Sequence, residues 1–120
     1  AHIGKTGVDE QSAYTFRYEN GAIALMSSAV RTFIPSDAYI LGTGGYIHLP
    51  EFWRAKSATI YRERQEGETL SFDYEKPGYH FEAMEVNRCI KNNQTESKTM
   101  PLAETLQIMK TVDNIIKQWI

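Results

Sequence analysis

TLSFDYEKPGYHFEAMEVNRCI, residues 69–90, changes character halfway along, and that change decides the fold. Its first part, TLSFDY, is rich in β-branched and aromatic residues and reads as a strand. Pro77-Gly78 punctuates the chain. From Tyr79 the apolar residues Tyr79, Ala83, Val86 and Ile90 recur at spacings of four, three and four, which is one face of a helix. Asn92 and Asn93 end that helix, because asparagine tolerates the left-handed conformation that often follows one. Thr99 is expected to cap a second helix, with Pro101 in its first turn. Its apolar stripe runs Leu102, Leu106, Met109, Ile116 and Ile120, with Ile108, Val112, Ile115 and Trp119 beside it, and so wide a band calls for cover.

Upstream of residue 69 the signals are all β. SAYTFRYE and AIALMSSAV flank Asn20-Gly21, a dipeptide suited to a two-residue type I′ turn. That turn places Tyr18 opposite Ile23, Phe16 opposite Leu25 and Tyr14 opposite Ser27 on one face. Arg17 with Ala24 and Thr15 with Met26 fall on the other. After Pro35, DAYILGTGGYIHL gives a strand, a bend at Gly42 to Gly45 and a second strand that Pro50 ends. SATIYRER and TLSFDY form another pair around the Gly67 turn.

Strands first and helices last is an α+β order. The expected architecture is an open, mostly antiparallel twisted sheet of about six strands, with two C-terminal helices on one face and residues 1–120 forming one domain. Alternation along the strands is blurred by Ala, Met, Val and aromatic side chains on both sides, so the second face of the sheet is expected to meet a partner surface.

The bulk numbers agree with one ordinary globular domain: 120 residues, 42% apolar and 23% charged. Thirteen basic against fifteen acidic side chains give a net charge of -2, with no basic cluster to attract a phosphate backbone, so nucleic acid is not an expected partner. Cys89 is the single cysteine, which excludes an internal disulfide and suits a reducing compartment; the expected location is the cytoplasm. No apolar run approaches the roughly 18 to 20 residues of a membrane-spanning helix, so no membrane role is expected. The chain opens at Ala1 in strand-like sequence without an initiator methionine, and is read as a piece of a longer protein.

Candidate chemistry is sparse. Gly42-Thr43-Gly44-Gly45 is followed by a strand, so it lacks the helix N-terminus that a phosphate loop requires and reads as a bend. His2, His48 and His80 are scattered, with no i, i+4 pair and no cysteine companion, so no metal site is expected. Glu82 and Glu85 lie about one helical turn apart with Glu75 nearby, but paired carboxylates do acid and base work only where burial separates their pKa values, and near a helix start they are stabilised without it. Cys89 among apolar neighbours reads as a small buried residue.

The C-terminal segment GYHFEAMEVNRCIKNNQTESKTMPLAETLQIMKTVDNIIKQWI resembles the end of proteins in the glucose-fructose oxidoreductase / inositol dehydrogenase family (Gfo/Idh/MocA), most closely the branch that includes the dimeric dihydrodiol dehydrogenases. The features that carry the likeness are Gly78-Tyr79 followed by Glu82, RCIKNNQTES from Arg88 to Ser97, the MPL of Met100 to Leu102, and the long closing helix. GTGGYIHLPEFW is similar to the family's glycine-bounded strand pair. Where the family often has glycine after the first of these helices, this chain has Asn93.

The resemblance implies a two-domain enzyme in which an N-terminal Rossmann domain binds NAD or NADP and this C-terminal region walls a small-molecule substrate cavity. It also implies that the open sheet joins a homodimer. By the same resemblance Tyr79, His80 and Phe81 are candidate substrate contacts, and no catalytic or cofactor-binding residue is expected within the chain. Glu75-Lys76-Pro77 matches the triplet that carries the family's catalytic lysine, but that triplet belongs to the nucleotide-binding domain. Here it follows a late strand, so Lys76 is read as a coincidence. The expected function is the C-terminal domain of an NAD(P)-dependent oxidoreductase acting on a sugar, polyol or dihydrodiol, inactive alone. A non-enzymatic oligomerisation module and a small α+β binding or isomerase domain are the alternatives.

Overall fold

The computed structural model describes residues 1–74 and 78–119; the reading of Lys76 falls outside them. The chain divides into two compact units, Ala1–Ser36 and Asp37–Ile120. All described strand pairings are antiparallel, and the α+β class holds. The single sheet expected from the sequence is instead two sheets, one in each unit.

The first unit is a three-stranded sheet in the order β1 (His2–Ile3), β2 (Asp9–Arg17), β3 (Ile23–Ala29). The β2–β3 hairpin forms where expected, but its register differs by one residue: Arg17 pairs with Ile23, Phe16 with Ala24, Thr15 with Leu25 and Tyr14 with Met26. The loop explains the slip. The Tyr18 N–H donates to the Ala22 carbonyl at 2.9 Å and the Gly21 N–H to the Tyr18 carbonyl at 2.9 Å, so the loop has three residues, Glu19 to Gly21. Only Gly21 has positive φ (87°) there, and the Asn20 side chain accepts the Ala22 N–H. This is a turn closed by one left-handed glycine, whereas type I′ needs positive φ at two positions. A one-residue shift regroups the faces: Tyr14, Phe16, Ala24 and Met26 share one side, while Ile23 and Leu25 stand with Arg17 and Thr15 on the other. At the open end Arg31 pairs with Glu10 at 3.1 Å. Ser12 is buried, its hydroxyl donating to Asp9.

In the second unit β4 (Ala38–Gly42), β5 (Gly45–Leu49), β6 (Ser57–Arg62) and β7 (Glu68–Ser71) form a meander in sequence order, as short connections require. Gly42 pairs with Gly45 around the Thr43-Gly44 loop, confirming the bend. Gly45 has φ 148°, and a Cβ there would lie 2.0 Å from the Tyr61 carbonyl oxygen. Helices α1 (Tyr79–Lys91) and α2 (Leu102–Ile116) follow.

Neither helix lays its expected stripe on the sheet. On α1, Tyr79, Val86 and Ile90 are 79%, 56% and 66% exposed, while Glu85 and Cys89 turn inward. On α2, Leu102 and Leu106 are exposed, and Ile115 and Trp119 of the neighbouring line are half-buried. Among the described residues Ser12, Ala58 and Cys89 are buried, and none of these is large.

Candidate functional site

The three residues singled out from the sequence open α1. Phe81 meets Tyr74 edge-on, with ring centroids 6.3 Å apart at 73°, and His80 packs on Phe81 at 3.9 Å. Tyr74 donates its hydroxyl to the Ala55 carbonyl at 3.2 Å, and the Lys56 ammonium lies 5.7 Å from the Tyr74 ring. The start of α1 is thus tied through Tyr74 to the segment before β6. His80 and Phe81 join this cluster, whereas Tyr79 projects outward. Asn93, at φ 52°, is the left-handed residue after α1, in the role expected of it.

The RCIKNNQTES motif forms the joint between the helices. Arg88 grips Glu85 with two nitrogens, each at 2.7 Å, and reaches Gln94 at 2.9 Å. The Ser97 hydroxyl donates to the same Glu85 carboxylate, and the Cys89 thiol leans on it at 3.5 Å. Arg88 above all, then Ser97, pull the Glu85 pKa down to about 2, and Glu85 raises that of Arg88 in return. A carboxylate held this low stays ionised near neutrality and cannot serve as a general acid. Glu85 is a joint residue, and Cys89 is buried beside it with its pKa raised, first by burial. The expected Thr99 cap is replaced: Glu96 accepts the Leu102 N–H at 2.8 Å, and Thr99 only donates its backbone N–H to Ser97.

Sequence reasoning missed one constellation on the four-stranded sheet. Tyr39 pairs with His48, and Leu41 pairs with Tyr46, which in turn pairs with Tyr61. Tyr39 stacks on the His48 ring at 4.5 Å and 7°, and Tyr46 stacks on Tyr61 at 4.6 Å. His48 bonds Asp37 at 2.9 Å, and Asp37 also accepts the Glu51 N–H at 3.4 Å. This partnership lowers the Asp37 pKa, chiefly through the His48 hydrogen bond. The period-two spacing Tyr46-x-His48 together with the two-residue Thr43-Gly44 loop was the signal that could have found it. On the opposite side Ile40, Ile47 and Ile60 share a row and help line an open apolar groove of about 260 Å³. Among the described residues no cluster of three His, Cys, Asp or Glu could hold a metal ion, and no helix is long and apolar enough to cross a membrane.

Two antiparallel sheets followed by a jointed helix pair define an α+β chain that places few large side chains in an interior of its own. Along 97% of its length this chain is 29% identical to the trans-1,2-dihydrobenzene-1,2-diol dehydrogenase of Xenopus tropicalis, covering 37% of that protein. It is 28% identical to the Mus musculus enzyme of the same name over 86% of the chain, covering 32% of the relative. The Danio rerio enzyme is 27% identical over 94% of the chain, with 36% of that protein covered. The matched region is the relatives' C-terminal part, and the likeness to the dihydrodiol dehydrogenases of the Gfo/Idh/MocA family is borne out. The chain thus spans little more than a third of the length of the curated relatives it matches. No model of a known protein family matches it.

Proposed function

We propose that this chain is the substrate-side and oligomerisation region of an NAD(P)-dependent oxidoreductase acting on a sugar, polyol or dihydrodiol. The observation that carries the reading is the similarity to dihydrodiol dehydrogenases along 97% of the chain. Hydride would pass between nicotinamide and a carbinol or carbonyl carbon, with the cofactor held elsewhere in the polypeptide. This chain's own residues do not fit a dinucleotide: it has no G-x-G-x-x-G, and its described strands pair antiparallel, without a βαβ unit. In this reading Tyr79, His80 and Phe81 wall the substrate cavity, supported by the outward Tyr79 and by the aromatic cluster that orients Phe81.

The apolar exposure supports a covered surface. Leu25, Phe33, Leu41, Trp53, Leu102 and Leu106 are all more than 60% exposed, beyond what a chain working alone ordinarily shows as a group. A homodimer formed through a sheet face, together with a Rossmann domain of the same polypeptide, would cover such positions.

The test is an assay of the polypeptide that carries this chain against trans-dihydrodiols, polyols and aldoses with NAD and NADP. Nicotinamide reduction with one of these classes is expected; no reduction across the panel by folded protein would overturn the reading. The 120-residue chain alone is expected to bind neither nucleotide, and micromolar binding by it would refute the assignment of the cofactor to another region.

A further inference from the structure

We propose that the free edge of β3 is a self-pairing surface that joins two copies of this chain through an antiparallel β3–β3 ladder. The hairpin's own bonds fix which way the backbone of the strand points. At one end the Tyr18 N–H donates to the Ala22 carbonyl at 2.9 Å, and at the other the Val30 N–H donates to the Glu10 carbonyl at 3.0 Å. Between those ends the register turns the N–H and C=O of Ala24, Met26 and Ser28 towards β2. Ile23, Leu25, Ser27 and Ala29 therefore turn theirs outward. Because β3 is the last strand of its sheet, no strand among the described residues lies beside them.

Edge strands are ordinarily guarded by charge, proline, a bulge or short length. β3 lacks all four guards. Its sequence is IALMSSA, it pairs with β2 without a bulge from Ile23 to Ala29, and at seven residues it is the longest edge strand described. Ile23, Leu25, Met26, Ser27 and Ser28 are all exposed.

A second copy of the same strand suits this edge because one register satisfies every outward group. Centred on Met26, that register sets Ile23 against the partner's Ala29 and Leu25 against the partner's Ser27, with the reciprocal pairs across the two-fold axis. The outward residues then exchange about eight N–H···O bonds between the copies. Each large side chain faces a small one, and Met26 meets the partner's Met26 in a non-hydrogen-bonded pair on the axis. The uncharged strands bring no like charges together. Past the strand the register carries Arg31, 75% exposed, towards the partner's Glu19, which is exposed and of opposite sign. The contact extends each sheet by its edge, and is separate from any packing through a sheet face.

Sedimentation combined with amide hydrogen exchange of the 120-residue chain tests this. In the dimer the amides of Ile23, Leu25, Ser27 and Ala29 are expected to be protected along with those of Ala24, Met26 and Ser28, and dilution to monomer is expected to release only the first group. Leu25→Pro removes an outward N–H from each copy while leaving the bonds to β2, and should weaken the dimer about tenfold or more. Under mild oxidation Met26→Cys should form a covalent dimer, whereas Ser28→Cys and the unsubstituted chain, whose Cys89 is buried, should not. A chain that stays monomeric at high concentration, outward amides that exchange as fast in the dimer as in the monomer, outward amides already protected in the monomer, or a Leu25→Pro dimer as tight as wild type would each overturn the pairing. If Leu25→Pro fails to fold, equal cross-linking of Met26→Cys and Ser28→Cys overturns it.

Discussion

Glu85 holds the helix joint through several donors at once: two Arg88 nitrogens, the Ser97 hydroxyl and the Cys89 thiol. Its pKa lies below the ordinary 4.5, at about 2, so the unfolded chain binds the proton more readily than the folded one. The stabilisation is therefore complete above about pH 4.5 and lost as pH falls towards 2. We expect the Ser97 and Gln94 amide resonances to lose their native positions across that window, and Glu85→Gln to abolish the transition. Cys89 offers a second readout. Its thiol is buried against an anion, which opposes ionisation, so thiol reagents should react slowly near pH 8 and faster in Glu85→Gln. The burial of Cys89 and the left-handed Asn93 were legible in the sequence, because side-chain size and backbone tolerance are local properties. The grip of Ser97 on Glu85, twelve residues away, depends on how the connecting loop folds back, and no spacing rule encodes that.

Turns show where elements take their geometry. In the β2–β3 hairpin the existence of both strands and their loop was readable from Asn20-Gly21, but the register was not. Two-residue and three-residue loops both fit Tyr18 to Ala22, and only one needs a second residue at positive φ. Gly21→Ala should cost about 1–2 kcal/mol in denaturant unfolding, since φ is 87° and space around it is open. Gly45→Ala should cost about 3 kcal/mol or more, because the new methyl would meet the Tyr61 carbonyl at 2.0 Å. The start of α2 gives a sharper contrast. Glu96→Ala removes the acceptor of the Leu102 N–H and should destabilise by about 0.5–1 kcal/mol, whereas Thr99→Ala should stay within about 0.5 kcal/mol of wild type. The sequence assigned the capping to Thr99, whereas Pro101 is the N-cap and the Leu102 N–H is met by Glu96, because a long side chain reaching forward from a loop mimics what a short one does next to the helix.

At the scale of the whole molecule the order of strands then helices was legible, and the α+β class followed from it. The division into two sheets was not, since alternation marks faces without saying which edges meet. The helix α1 was found by the spacing of its apolar residues, but its inward face is carried by Glu85 and Cys89, and Val86 and Ile90 of the expected stripe remain exposed. We expect sedimentation of the 120-residue chain to show concentration-dependent self-association, and a strictly monomeric species at high concentration would count against the proposed dimer. In the proposed oxidoreductase, Tyr79→Ala should raise KM more than it lowers kcat if Tyr79 walls the cavity.

The hairpin register also bears on how the chain behaves in a cell or a flask. Because Ile23 and Leu25 point one way while Met26 points the other, β3 is greasy front and back, and no rotation of the strand hides both. Produced as the 120-residue chain alone, the protein should favour inclusion bodies over soluble yield. Leu25→Lys, which adds charge to the side carrying Arg17, should recover soluble material.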